Sequence, residues 1–338
     1  MSAAPVLLLH PSSLEHDTGP HPEQPARIVA IERELERRDD IGFQRISSPA
    51  VELETLRAVH AERHIDLVRR AAEGGGAQID ADTVVSAGSF DAALHACGGA
   101  VSLVDRLLDG SAPTGFSIHR PPGHHAGAAR AMGFCLFNNI AVAAQHALDA
   151  HGLERVMIVD WDVHHGNGTN DIFSGEPRVL FTSIHQSPLY PGTGPASDVG
   201  FGPGRGFTVN LPVAPGSGDE VFGSLVSDVA VPLARAYDPQ LLLISAGFDA
   251  HHEDPLADCT VTESGYAAMT RSLTSLEVPV GAVLEGGYAL SALARSVAAT
   301  MEALAGDGMD GSARGEVPVA ALSRRALERL AEFWPGLA

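Results

Sequence analysis

Four side chains able to bind a metal or move a proton fall within six residues: Asp160, Asp162, His164 and His165, in VDWDVHHGNG. In extended chain, alternate side chains share a face, so Asp162 and His164 project together. A carboxylate and an imidazole suit zinc or another divalent first-row metal. Two ligands do not close a site. Asp249, in SAGFDAHHEDPL, is the best third ligand, and its alternative role is to cap the following turn. The three together make a two-carboxylate, one-imidazole site with a position left for water, as catalytic zinc requires. His251 and His252 lie further into the same loop and read as solvent-facing.

A tandem pair, His124 and His125, follows Pro121, Pro122 and Gly123. The buried-looking GFCLFNN segment closes this loop and is expected to hold the pair inward. A histidine beside a metal is a natural general base, because its ordinary pKa lies near neutrality. Asp160 and Asn167 are candidates to orient the two rings. A carboxylate partner keeps one imidazole charged, and an amide partner leaves the other free to take a proton. Tyr288 follows Glu285, Gly286 and Gly287, where the glycines let the backbone approach a ligand. Its phenol could donate to a polarised carbonyl oxygen. Phe134 and Tyr190 could wall a narrow apolar channel, although aromatics are more often plain core.

Four of these clusters stand just past short apolar runs. Those runs, Gly115–Ile118, Val156–Val159, Leu241–Ser245 and Val280–Leu284, alternate with helical periods at 139–150, 263–276 and 289–304. Further strands are expected at 6–9, 179–184 and 207–211, and further helices at 26–38, 53–58, 65–72, 90–108 (capped by Ser89) and 220–236. Alternation of this kind predicts an α/β domain with a mostly parallel sheet and helices on both faces. Ligands bind such sheets outside the carboxyl ends of the strands, so the clusters at 119–125, 160–165, 249–252 and 285–288 converge on one crevice. No boundary divides the chain. One domain is expected over 1–338, with its core at about 5–304, a flexible loop at Gly306–Gly315 and a last helix at about 320–333. The long loop 11–25 is expected to be functional.

Composition narrows the function. Of 338 residues 45% are hydrophobic, enough for a sizeable core. The formal charge is -20, from 22 basic residues (all arginine) and 42 acidic ones. That balance argues against non-specific nucleic-acid binding and is compatible with a cationic substrate. No membrane-spanning run or leader is legible. Three cysteines without paired spacing read as free thiols, so a cytoplasmic protein is expected.

RPPGHHA, DWDVHHGNGT, SAGFDAHHEDPL and LEGGY together resemble the zinc-dependent histone deacetylase superfamily, of the arginase-deacetylase fold. HPEQPAR and GFCLFNNIAVAA fit as well. The likeness runs from about His10 to Leu304 and is closest to class II enzymes and bacterial histone deacetylase-like amidohydrolases. It implies zinc on Asp162, His164 and Asp249, with His125 as base and acid, His124 paired with Asp160 as electrostatic helper, and Tyr288 as the carbonyl-polarising group. It also implies an acyl-lysine tunnel walled by Phe134 and Tyr190, where Gly133, Gly287 and Leu256 meet substrate and Asp82 grips its backbone. A structural potassium is implied near Asp160, Asp162, His164, Ser183 and Ile184, with a second near Phe173. Asn167 departs from class I, which carries Asp there, and agrees with class II.

The implied reaction is hydrolysis of an N-acetyl or related acyl group from lysine in a protein or peptide. The alternative is an acetylated polyamine. Leu256 stands where polyamine-preferring relatives carry an acid, whereas Glu15, Asp17, Glu23, Glu253 and Asp254 could make the rim negative. A non-catalytic acyl-lysine binder and a manganese ureohydrolase are the other readings, and iron could replace zinc. No nucleic-acid or membrane partner is expected, and a homo-oligomer is compatible with the sequence.

Overall fold

Strand and helix alternate because apolar β-branched runs and amphipathic helical periods alternate in the chain. The structure, a computed structural model, describes residues 3–306 and 320–337. Among them ten strands form: β1 (Val6–Leu9), β2 (Gln44–Ser47), β3 (Gly76–Gln78), β4 (Val84–Ser86), β5 (Thr114–Ser117), β6 (Val156–Asp160), β7 (Val179–Gln186), β8 (Thr208–Val213), β9 (Leu241–Ala246) and β10 (Val280–Leu284). Eight of them make one parallel sheet in the order β2-β1-β5-β10-β9-β6-β7-β8, while β3 and β4 form a separate antiparallel pair.

Twelve α-helices accompany them in the described chain: α1 (Ser12–Glu15), α2 (Ala26–Glu36), α3 (Leu53–Arg57), α4 (Glu62–Glu73), α5 (Ser89–Leu108), α6 (Asn139–Asp149), α7 (Asn167–Phe173), α8 (Asp219–Leu225), α9 (Val231–Tyr237), α10 (Glu263–Thr274), α11 (Leu290–Leu304) and α12 (Ala321–Leu330).

The sheet is covered on both faces, and the period of two separates the cores. In β6, Met157 and Val159 enter one apolar cluster with α2, α10, α11 and α12, whereas Val156 and Ile158 enter the other with α4, α5 and α6. Each fully buried Leu, Ile, Val or Phe contributes about 1.5–3 kcal/mol of transfer free energy. This explains why continuous apolar runs, rather than alternating ones, mark the central strands.

Two expectations are corrected. The single helix at 220–236 is α8, a π-helical turn (Val226–Ala230) and α9. Pro232, lacking an N–H, sits in the first turn of α9. Ser89 does not cap α5 but begins it, with its hydroxyl 2.6 Å from His16 Nδ1 and 2.7 Å from the Ser86 N–H it accepts. The loop expected at Gly306–Gly315 lies, beyond Gly306, outside the described residues.

Candidate active site

Five neighbouring strands, β5, β10, β9, β6 and β7, end on the same side and supply the site. Asp162 and His164 follow β6, and Asp249 follows β9, which pairs with β6 in register. His164 Nδ1 lies 3.2 Å from Asp162 Oδ1 and 3.1 Å from Asp249 Oδ2. Donors held about 2.0–2.2 Å from a tetrahedral divalent ion stand about 3.3–3.6 Å apart, so the three atoms are spaced close to a ligand set. The donor types, two carboxylates and one imidazole, suit the same ion. Among the described residues four groups bring such atoms together, and only this one is buried throughout. The backbone is shaped to the site. A Cβ on Gly286 would stand 2.1 Å from Asp249 Oδ2 and 2.6 Å from Asp162 Oδ2. Its own N–H donates to Asp162 Oδ2 over 2.9 Å.

His124 and His125 arrive from the loop after β5. The two rings are 4.1 Å apart between centroids but have opposite partners. His124 Nδ1 faces Asp160 Oδ2 at 2.9 Å, and its Nε2 is 3.7 Å from Asp162 Oδ1. Burial disfavours a charged ring, but the Asp162 and Asp160 carboxylates outweigh it and hold His124 well above the ordinary imidazole range. His125 Nδ1 is 2.8 Å from Asn167 Oδ1. The Asn167 amide nitrogen is taken by the His125 carbonyl and Met132 sulfur, both at 3.4 Å, so its oxygen is the atom facing the ring. Nδ1 therefore carries the proton and Nε2 offers a lone pair. Burial, followed by the charges of His124 and His164, keeps His125 well below the ordinary range. Their surroundings therefore favour charge on His124 and a free lone pair on His125.

A cavity of about 230 Å³ leads to these groups, lined by His125, His164, Phe134, Tyr190, Leu256 and Tyr288. Tyr190 stands perpendicular to His125, centroids 5.3 Å apart, and Phe134 perpendicular to Tyr288 at 5.7 Å. Burial, reinforced by Asp249, pushes the Tyr288 phenol well above its usual value, so it stays an O–H donor. Gly133 and Phe134 both take left-handed backbone, with φ of 57° and 70°. A Cβ on Gly133 would fall 2.5 Å from His125 Cδ2, so the turn that presents Phe134 needs glycine there. The arrangement can place an extended apolar chain ending in a carbonyl between a base, a donor and a metal.

Comparisons with known proteins give the family. A sequence model of the histone deacetylase domain matches residues 21–304. The chain belongs to the histone deacetylase family. It is 39% identical over 319 residues to the chloroplastic histone deacetylase 14 of Arabidopsis thaliana, covering 88% of this chain and 75% of that protein. It is 40% identical over 305 residues to the human polyamine deacetylase HDAC10, covering 84% of this chain and 45% of that protein. The crystal structure of the HDA15 HD domain superposes with a TM-score of 0.92 at 36% identity, covering all of this chain and 97% of that one.

The remaining expected residues of this histone deacetylase relative fall as follows. Asp82 sits between β3 and β4, and lines both the cavity and an adjoining groove of about 560 Å³. Its carbonyl faces His21 Nε2 at 3.1 Å. Gly287 stands outside the cavity lining, with its carbonyl accepting from Arg27 Nε at 2.7 Å. Asp160 is paired in register with Ser183, and Ile184 and Phe173 are buried.

Several expectations change. His251 is 1% exposed, near Glu263 at 3.5 Å, and only His252 faces solvent. Of the acids proposed for the rim, Glu23 is buried against Arg120 and Arg27. Asp254 is buried under backbone N–H groups, and Glu253 pairs with Arg295 at 2.7 Å. Glu15 and Asp17 are exposed but line neither space.

Sequence reasoning missed Leu189, which lines the cavity, and His21, whose ring packs edge-on to Phe134 at 4.5 Å. It also missed the function of HPEQPAR. Arg27 donates to the carbonyls of Glu285 and Gly287 and stands 5.1 Å from the Tyr288 ring. The pairing of an acid and an arginine four apart in that motif was the available signal.

Proposed function

We propose that the protein is a zinc-dependent amidohydrolase that removes acetyl groups from lysine side chains of peptides or proteins. The observation that carries this reading is the convergence of a candidate ligand triad, the His125 imidazole held by Asn167 and the half-buried Tyr288 phenol on one narrow, mostly apolar cavity. Asp162, His164 and Asp249 would hold a divalent metal, which would supply Lewis-acid polarisation and acidify water. His125 Nε2 takes the proton from the attacking water and returns it to the departing amine nitrogen. Asn167, on the opposite ring nitrogen, fixes that tautomer. The Tyr288 hydroxyl donates to the carbonyl oxygen as it gains negative charge, and charged His124 adds its field. Phe134 and Tyr190 exclude water along the chain, Gly133 brings backbone beside it, and Gly287 holds Tyr288 from behind. Asp82 at the rim takes the substrate's backbone N–H groups.

A structural potassium fits beside Asp160, Asp162, His164, Ser183 and Ile184, because the fully buried Asp160 has an imidazole and no arginine as its cationic partner among the described residues. A second is proposed near Phe173. We place the protein in the reducing cytoplasm, because Cys97, Cys135 and Cys259 are all buried free thiols.

Leu256 on the cavity wall, with Glu23 and Asp254 turned inward, favours acyl-lysine over a polyamine. The second reading, a deacetylase of acetylated polyamines, draws on Asp80, Asp82 and Asp171 around the adjoining groove and on the name of the human relative. Side-by-side kcat/KM on the zinc-loaded protein, for an acetyl-lysine peptide and an acetylated polyamine, decides between them. A peptide preference supports the first reading and a polyamine preference the second. Elemental analysis of the protein as isolated separates zinc from iron.

A further inference from the structure

The loop after β9 and the loop after β10 each bring one residue to the cavity, Leu256 and Tyr288. They are joined by one side chain. Asp254 is 7% exposed, and both of its carboxylate oxygens are used. Oδ1 accepts the Leu256 N–H at 3.0 Å. Oδ2 accepts the Tyr288 N–H at 2.7 Å and the Ala289 N–H at 3.2 Å. Its own N–H donates to the His251 carbonyl at 2.9 Å, which fixes the carboxylate relative to its loop. Glu253, the residue before it, is tied to Arg295 of α11 at 2.7 Å, and Arg295 also bonds Glu263 of α10. The backbone that carries Asp254 is therefore anchored from outside, while its side chain reaches inward.

Ala289 precedes α11 and has no side-chain cap of its own, so Asp254 also supplies an acceptor at the start of that helix. Charge-assisted bonds from backbone N–H groups to a buried carboxylate are shorter and stronger than neutral ones. A neutral side chain of the same shape cannot accept from both loops, because one of its two terminal atoms is a donor.

We propose that Asp254 is a positioning residue for the reaction: its carboxylate clamps the two loops together and so fixes the Tyr288 hydroxyl against the reacting carbonyl while holding Leu256 along the wall. This rests on the deacetylase reading, in which Tyr288 is the carbonyl donor. Asp254 touches no substrate and acts through the residue it holds.

A double-mutant cycle tests it on the full-length, metal-loaded protein, reading kcat with an acetyl-lysine peptide and verifying fold by circular dichroism and metal by elemental analysis. Misplacing a catalytic group by about 1 Å can cost about 10²-fold, so Asp254→Ala is expected to lower kcat by about that factor. In a Tyr288→Phe background, where the hydroxyl is already gone, Asp254→Ala is expected to change kcat by no more than about twofold. Asp254→Asn, which keeps shape and one loop's bond, carries the same cycle if the alanine variant does not fold. Losses that multiply across the cycle to within about twofold would show that Asp254 acts independently of the hydroxyl and overturn the proposal. Folded, metal-replete Asp254 variants with unchanged kcat would overturn it as well, leaving the deacetylase reading intact. A normal rate for Tyr288→Phe alone would overturn that reading and the proposal with it.

Discussion

Replacing Asn167 with Asp tests the proton economy of the site. Asn167 Oδ1 accepts from His125 Nδ1 at 2.8 Å, and His125 is buried with its pKa held well below the ordinary range. A carboxylate at that place adds a negative charge about 4 Å from the ring centre, worth about 4 kcal/mol at an effective dielectric constant of about 20. Each pKa unit corresponds to about 1.4 kcal/mol, so the upper bound is about 3 units. Desolvation of the new carboxylate opposes this, and shifts of about 1–3 units are usual for such pairs. The sign is fixed: a raised His125 pKa keeps the base protonated over more of the acid range. Activity is lost at low pH, and the plateau begins at higher pH. The assay is kcat/KM against pH from about 5 to 9, whose acid limb reports the free enzyme's base. Metal content is measured at each pH, so that loss of ligand is not mistaken for protonation of the base. An acid limb that stays in place, or moves to lower pH, with metal retained would refute His125 as the base held by Asn167.

Three more outcomes are expected. Tyr288→Phe lowers turnover by about 10²–10³-fold, as removal of one oxyanion donor does, with little change in KM; a near-normal kcat would remove Tyr288 from the chemistry. Asp249→Ala leaves His164 and Asp162 without their third partner and yields protein without stoichiometric zinc, so full zinc by elemental analysis would show that the ligand set is misassigned. Glu23→Gln strands the buried Arg120 and Arg27 guanidinium groups, and denaturant unfolding should show a loss of about 3–5 kcal/mol; a change under about 1 kcal/mol would mean water or another acid compensates.

Much of this site was legible because parallel α/β topology sends every strand's carboxyl end to the same edge. Knowing that β5, β6, β9 and β10 were strands was enough to gather His125, Asp162, Asp249 and Tyr288. Side-chain direction within a loop was not legible. His251 looks as polar as His252, yet Glu263 of α10 lies 3.5 Å from its ring, a partner that no local pattern announces. Glu23 and Asp254 read as rim acids because charge is usually exposed. Arg120 stands 97 positions from Glu23 and Tyr288 stands 34 from Asp254, and only the folded chain brings them together. β2 escaped because it is an edge strand whose residues are mostly exposed, so Gln44–Ser47 lacks the apolar run that marks the interior. The β3–β4 pair is only three residues a side, too short for a period to register.

The last strand of the sheet to leave the ribosome is also one of the most central. β10 lies between β5 and β9, so until residues 280–284 emerge the nascent sheet is two separate pieces, β2-β1-β5 and β9-β6-β7-β8. The three candidate metal ligands belong wholly to the second piece, His124 and His125 to the first, and Tyr288 follows the strand that joins them. The groups proposed to act together therefore meet only once β10 has closed the sheet.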